Sequence, residues 1–169
     1  EQTDSQARDS SAGDPLVFKI AGDRSTHGVE LRYDFASKGW EGRFNIVEQR
    51  GEEQPVEVGS DKREAITDTP ERLLGGRLAY DFSLNFAIPL EVWWLGEYVG
   101  ERSAGRDGDD DDEVMVASYA RHDIGVNYTW ESGPELHVRV RNLMDDSYLR
   151  AMRVQGERRR LYMGLIHSF

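Results

Sequence analysis

The sequence predicts an all-β chain, folded as an antiparallel up-and-down transmembrane β-barrel of about eight strands. Three observations predict it. Apolar and polar residues alternate with a period of two through most of the chain, the pattern of side chains that point in turn to opposite faces of a sheet. Connections alternate between tight ones, at residues 36–39, 83–85 and 131–134, and longer ones, at 22–27, 50–69, 101–113 and 143–157. Barrels in membranes have this asymmetry, with short turns on one side and long loops on the other. Aromatic residues gather at the short-turn ends: Tyr33, Phe35, Trp40, Tyr80, Phe82, Phe86, Tyr128, Trp130 and Phe169. Such a row suits the headgroup level of a bilayer, where an amphipathic ring is half in water.

Residues 1–15 are rich in Ser, Asp, Gln and Gly, have no periodicity and read as a flexible leader. The barrel is expected over residues 16–169. A short strand at 16–21 sets Leu16, Phe18 and Ile20 against Val17, Lys19 and Ala21. In the next, Val29, Leu31, Tyr33 and Phe35 alternate with Gly28, Glu30, Arg32 and Asp34, so one side carries bulk and the other charge. After a tight turn, residues 40–49 set Trp40, Phe44 and Ile46 against Arg43, Asn45 and Gln49. Residues 50–69 are polar and read as an excursion beyond the sheet.

Residues 72–82 return as a strand, with Leu74, Gly76, Leu78, Tyr80 and Phe82 opposed by Leu73, Gly75, Arg77, Ala79 and Asp81. After a turn at 83–85, the strand at 86–100 sets Phe86, Ile88, Leu90, Val92, Trp94 and Tyr98 against Glu91, Trp93, Leu95 and Glu97. Pro89 is tolerable there only near the start or at a bulge. Residues 107–113 form an acidic loop. The strand at 114–130 is the longest and sets Ala120, His122, Ile124, Val126, Tyr128 and Trp130 against Arg121, Asp123, Gly125 and Asn127. In the terminal hairpin, Leu136, Val138 and Val140 alternate with His137, Arg139 and Arg141. Leu161, Met163, Leu165 and Phe169 then share one parity, with Gly164 and Ser168 on the other.

Composition narrows the function. The chain has 169 residues, no cysteine and a net charge of −11, which argues against nucleic acid as a partner and excludes disulfides and thiolate metal sites. No apolar run approaches the ~20 residues of a membrane helix. Alternation alone does not separate a membrane barrel from a soluble one, because the two differ only in which face meets water. On the membrane reading the apolar face meets hydrocarbon and the charged face looks inward. The inward set is then Glu30, Arg32, Asp34, Arg77, Asp81, Glu91, Glu97, Arg121, Asp123, Arg139, Arg141, Arg158 and Arg160. Both signs are present, so these groups can pair, as buried charges must.

Several short motifs resemble those of TonB-dependent outer-membrane receptors, in the order that family has them. Gly28-Val29-Glu30-Leu31 is similar to its GVELE strand, and Thr69-Pro70-Glu71-Arg72 to its tPrh segment. Val99-Gly100-Glu101-Arg102 is similar to its yxGxR strand end. Arg141-Asn142-Leu143-Met144-Asp145-Asp146-Ser147-Tyr148 resembles the NLFDKxY signature of its penultimate strand. Tyr162, Gly164, His167 and Phe169 resemble its terminal strand, with His167 standing where an aromatic is more usual. The family-motif residues are thus Asn142, Leu143, Asp145, Tyr148, Gly164 and Phe169. The resemblance implies part of a barrel that takes up a ferric siderophore or similar nutrient across the outer membrane of a Gram-negative bacterium. It also implies contact with outer-membrane lipid and lipopolysaccharide, and a terminal strand read by the barrel-assembly machinery. Family members carry a plug and many more strands, so the chain is expected not to be a complete transporter alone; a second chain could supply the rest.

Two other readings stand beside this one. A structural eight-stranded barrel would close on itself, with residues 16–21 bonded to the final strand and the interior filled by side chains. A soluble β-barrel could carry a small apolar ligand. No cofactor, metal or catalytic residue is expected: His27, His122, His137 and His167 lack ligand spacing, the acidic run 107–113 lacks a calcium-loop pattern, and nothing pairs a nucleophile with a base. The basic residues Arg150, Arg153, Arg158, Arg159 and Arg160 could meet anionic lipid phosphates or an anionic chelate, but they read first as neutralising nearby acidic loops.

Overall fold

The computed structural model describes residues 6–9, 17–20, 24–53, 64–66, 69–106, 113–151 and 153–167. Its strands are β1 (Gln6–Asp9), β2 (Val17–Ile20), β3 (Arg24–Ser37), β4 (Trp40–Glu53), β5 (Glu64–Ala65), β6 (Arg72–Asp81), β7 (Leu90–Val99), β8 (Arg102–Arg106), β9 (Glu113–Val116), β10 (Tyr119–Thr129), β11 (Glu135–Arg141), β12 (Leu149–Ala151), β13 (Val154–Gln155) and β14 (Arg160–Ile166). A single helical turn, α1 (Ser83–Phe86), joins β6 to β7. The fold is all-β and every pairing is antiparallel.

One sheet dominates. Its order is β3-β4-β6-β7-β10-β11-β14, a meander in which each strand lies beside the next long one, and the two-residue β5 adds to the end of β4. Among the described residues this sheet is open: β3 pairs with β4 alone and β14 with β11 alone. The strand expected at 16–21 appears as β2, but it pairs with β1 and not with the sheet, so the pairing that would close the sheet on itself is not formed there. Gln6–Asp9, within the expected leader, is its partner.

The pairing registers put the predicted parities on two faces. On one lie Val29, Leu31, Tyr33, Phe44, Ile46, Leu78, Val92, Trp94, Ile124, Val126, Val138, Val140, Leu161, Met163 and Leu165. On the other lie the charged residues of the three clusters, while the Glu48–Arg72 ion pair, 3.0 Å, sits at one end of the apolar face. The apolar face is uncovered, and only Ile66, Ala79, Val116 and Tyr148 are buried apolar residues among those described. Exposure rises at the two edges: Val29 on β3 is 73% exposed and Met163 on β14 69%, against 39% for Val92 and 37% for Ile124 inside the sheet. The difference is what a missing neighbour strand produces.

The short connections carry the aromatics. Lys38 and Gly39 form a two-residue turn with φ of 50° and 89°, the left-handed geometry that matches the twist of a hairpin. Trp40 and Tyr80 lie 4.8 Å apart, Tyr80 and Phe82 4.7 Å, Phe82 and Phe86 5.9 Å, and Tyr128 and Trp130 4.9 Å. Asn85 ties two short connections together by donating to Lys38 O at 2.8 Å and to Tyr80 Oη at 2.9 Å.

Four boundaries differ from those expected. β3 and β4 run to 14 residues each, beyond the alternating core, through the pairs His27 with Arg50 and Thr26 with Gly51. Backbone pairing needs no apolar face, so a two-stranded ribbon continues into polar sequence where apolar periodicity has ended. At about 3.4 Å per residue its 14 residues reach about 48 Å, longer than the 9–11 residues a tilted strand needs to cross hydrocarbon. The strand expected at 86–100 begins only at Leu90. Asp81 Oδ1 accepts from the Ser83 N–H at 2.8 Å and starts a helical turn that ends at a left-handed Ala87, while Pro89 has no N–H to give. The long strand expected at 114–130 is split. β7 ends where Val99 faces Tyr119, the Gly100 N–H turns to Arg72 O at 2.8 Å, and β9 pairs with β8. Finally, the connections 100–118 and 142–159 each contain a small hairpin, β8–β9 and β12–β13. The acidic run 107–113 lies outside the described residues except Glu113, and Phe169 lies outside them as well.

Candidate functional site

Among the described residues the charged face holds three ionic clusters. The largest is centred on Asp123, whose side chain is 0% exposed. Alternation on β10 and β11 brings Arg121, Asp123, Arg139 and Arg141 to the same face, and the β10–β11 register places them side by side. Arg139 Nη2 donates to Asp123 Oδ2 at 2.6 Å, and the Arg121 and Arg141 Nε atoms lie 3.5 and 3.6 Å from the same carboxylate. The Asn142 N–H donates to its other oxygen at 3.0 Å. Two further carboxylates complete the cluster: Arg121 reaches Glu97 at 3.1 Å and Arg141 reaches Glu157 at 2.7 Å. These three cations therefore face three anions, with the exposed Arg160 3.8 Å from Glu157 at the rim, and such pairing is what removing charges from water demands. Tyr119 Oη adds a donor to Glu97 at 3.2 Å, and the ring of Trp93 lies under Arg139 with the guanidinium carbon 5.6 Å from its centre. Gly125 gives that ring its space, since a Cβ there would fall 2.2 Å from Trp93 Cζ2.

The second cluster lies toward the short turns. Arg77 Nη2 donates to Glu91 Oε1 at 3.0 Å, and Asn127 Nδ2 donates to the same oxygen at 2.9 Å. His137 Nδ1 is 2.9 Å from Asn127 Oδ1. The third is at the β3 edge, where Arg32 and Arg43 each donate to Asp34 at 2.7 Å. Glu30 shares this face opposite Val47. Asp81 joins none of the three clusters and instead holds the Ser83 N–H.

The motif residues that follow β11 form a clasp over the largest cluster. Asn142 is 1% exposed and left-handed, with φ of 48°. Its Nδ2 donates to Asp146 O at 2.8 Å and to Glu157 O at 2.9 Å, so one amide closes a loop of about 16 residues. The Leu143 N–H donates to His122 O at 2.7 Å. Tyr148 is buried, stacks on Tyr119 at 4.3 Å between centroids, and lies against Gly156, where a Cβ would fall 2.1 Å from its ring. Gly164, by contrast, has nothing near its missing Cβ, and nothing in the structure explains why that position is glycine.

Asp145 closes the clasp from outside. Arg158 donates to its carboxylate twice, both at 3.1 Å, and the Arg159 N–H once at 2.8 Å. These donors, Arg158 foremost, hold the Asp145 carboxyl down at about 2, and Arg158 is itself raised by the pairing. A carboxyl lowered by folding stabilises the fold above its ordinary value of 3.8 and ceases to do so as the pH falls through its folded value. Order in the connection 142–159 is therefore expected to weaken between about pH 4 and pH 2. A carboxyl carbon titration that puts the Asp145 midpoint near 2 checks this, and Arg158→Ala should return that midpoint toward 4.

Of the charged residues picked from the sequence, the structure groups Arg121, Asp123, Arg139, Arg141 and Glu97 in one cluster, Arg77 with Glu91, and Arg32 with Asp34. Asn127, His137 and Arg43 were legible as members of the polar parity. Glu157 and Gly156 were not, because their partners lie far off in sequence. Among the described residues no cluster of His, Asp or Glu is arranged to hold a metal.

No protein-family model and no curated protein matches the chain. Solved structures do match. The pyoverdine outer membrane receptor FpvA from Pseudomonas aeruginosa, bound to pyoverdine, superimposes with a TM-score of 0.74 at 16% identity, over 98% of this chain and 25% of that one. The FrpB iron transporter from Neisseria meningitidis gives 0.71 at 19% identity, over 89% and 24%. The ferric-catecholate import receptor Fiu from Escherichia coli K12 gives 0.69 at 18% identity, over 89% and 22%. The chain spans about a quarter of the length of these proteins, and the likeness is one of fold.

Proposed function

We propose that this chain is the C-terminal β-barrel portion of an outer-membrane receptor that imports a ferric siderophore or a similar scarce nutrient. One observation carries the reading: an open meander whose apolar face is uncovered while its charged face is internally paired. A water-soluble domain keeps contiguous exposed apolar patches to a few hundred Å², and a soluble ligand carrier would fold these rows into a dry centre. In a bilayer the same rows meet acyl chains, and the aromatics of the short turns lie at the headgroups. The unequal edge strands, 14 residues in β3 and 7 in β14, suit further strands between them better than a direct seam. The fold likeness to FpvA, FrpB and Fiu and the ordered sequence motifs both support a receptor.

In this reading the chain lies in the outer membrane of a Gram-negative bacterium. Its charged face looks into the lumen of a larger barrel. The long connections face the lipopolysaccharide, and the terminal strand meets the assembly machinery. Import also requires the plug and the remaining strands, and no catalytic step is assigned to this chain. The test is uptake of radiolabelled iron presented as ferric siderophores to iron-starved cells. Deleting the gene segment that encodes this chain should abolish uptake of at least one such chelate; unchanged uptake of every chelate the parent cells use would overturn the proposal.

A further inference from the structure

The apolar face is not evenly filled. Near its centre Trp94 leans along β7 away from the short turns: a Cβ at Gly96 would fall 2.3 Å from Trp94 Cζ2, and the ring stacks on His122 with 5.7 Å between centroids. At the short-turn end Trp40, Tyr80, Phe82 and Phe86 form a row of rings. Between these two ridges the floor is low, made of Leu78, Val92, Ile124 and Val126. The result is an open groove of about 700 Å³ lined by aliphatic and aromatic side chains.

The polar end of this groove lies at the turns. Asn85 directs its amide nitrogen to Lys38 O and to Tyr80 Oη. The Tyr80 hydroxyl therefore accepts, and its own O–H, with no acceptor among the described residues, is left to donate. Lys38 is exposed, and among the described residues its ammonium has no ion-pair partner. Arg43 and Arg77, on the opposite face, are by contrast paired with carboxylates.

We infer that groove and turns together form a site for one anionic phospholipid of the leaflet at the short turns. An acyl chain lies in the groove, and the phosphate meets the Lys38 ammonium and the Tyr80 O–H. Hydrocarbon suits a channel without polar floor, and a phosphate takes both a cation and a hydroxyl donor. The Asn85 bonds tie the two turns together, so these donors are held in place before the lipid arrives.

The site rests on the membrane reading above, and one experiment separates their failures. A variant of the full chain with Trp94 as its only tryptophan is placed in vesicles of phosphatidylcholine. A small fraction of the lipid is replaced by acyl-brominated phosphatidylglycerol or, separately, by acyl-brominated phosphatidylcholine. At equal fractions the phosphatidylglycerol should quench Trp94 as if enriched about fivefold. Lys38→Gln and Tyr80→Phe should each lower that enrichment. Val126→Phe, which fills the groove floor without touching charge, should remove it. Arg72→Gln, at the far end of the same face, should leave it unchanged. Equal quenching by the two lipids overturns the site and leaves the membrane face standing. A loss in Arg72→Gln as large as in Lys38→Gln also overturns the site, because the overall charge of the chain then accounts for the enrichment. No quenching by either lipid overturns the membrane reading, and the site with it.

Discussion

Asp123→Ala is expected to be the most damaging single substitution in the sheet. It removes the one carboxylate on which Arg139, Arg121 and Arg141 converge, and leaves the Asn142 N–H without its acceptor. Breaking one side of a buried pair costs about 3–5 kcal/mol, mostly from the charge left behind, and here three guanidiniums face two remaining carboxylates. Urea unfolding in detergent or lipid, followed by tryptophan fluorescence, should show the loss as a lower midpoint with an unchanged slope. Asp123→Asn should recover little, because its amide brings a further donor to a site already crowded with donors. The control is Asp34→Ala. That carboxylate also accepts from two arginines, but in an exposed position at the β3 edge, and its removal should move the midpoint little. Equal effects at the two sites would mean that the count of ion pairs, rather than burial, sets their worth.

Asn142→Ala should rank second. The alanine gives up two part-buried hydrogen bonds to backbone carbonyls, and it must hold a left-handed φ of 48° without a side chain that favours it. Together these cost about 3 kcal/mol, concentrated in the clasp. Asn142→Gly separates the two contributions. Glycine adopts the left-handed conformation freely, so it should cost about 1 kcal/mol less than alanine while losing the same bonds. The readout is protease sensitivity and amide exchange across the connection 142–159. If glycine and alanine prove equally damaging, the backbone conformation contributes nothing and the side-chain amide is the whole of the effect.

The two predictions rest on parts of the structure that were unequally visible in the sequence. Asp123 and its arginines could be placed together from alternation alone. A period of two fixes which face each residue takes, and adjacent strands of a meander bring equal parities into contact. The tight turn at Lys38–Gly39 was equally plain. The clasp was visible as a motif but not as a mechanism. Asn142 works through Glu157, and Tyr148 through Gly156, and neither separation leaves a local pattern. Strand ends were misread for a related reason. Apolar periodicity reports which face is buried, not how far the backbone ladder extends, so β3 and β4 outran their apolar segments. β9 kept its strand character and changed partners. The helical turn at Ser83–Phe86 depended on one carboxylate, Asp81, whose parity had placed it among the charged face.

The claim on which the account turns is that hydrocarbon meets one face of this sheet and not the other. Trp93 and Trp94 are adjacent on β7 and point to opposite faces, the first under Arg139 among the ion pairs, the second beside His122 on the apolar side. Two variants, each retaining one of these as the only tryptophan, would be reconstituted in vesicles containing lipids brominated along their acyl chains. The account predicts strong quenching of Trp94 and little of Trp93. Equal quenching of both, or quenching of Trp93 with Trp94 shielded, would contradict it.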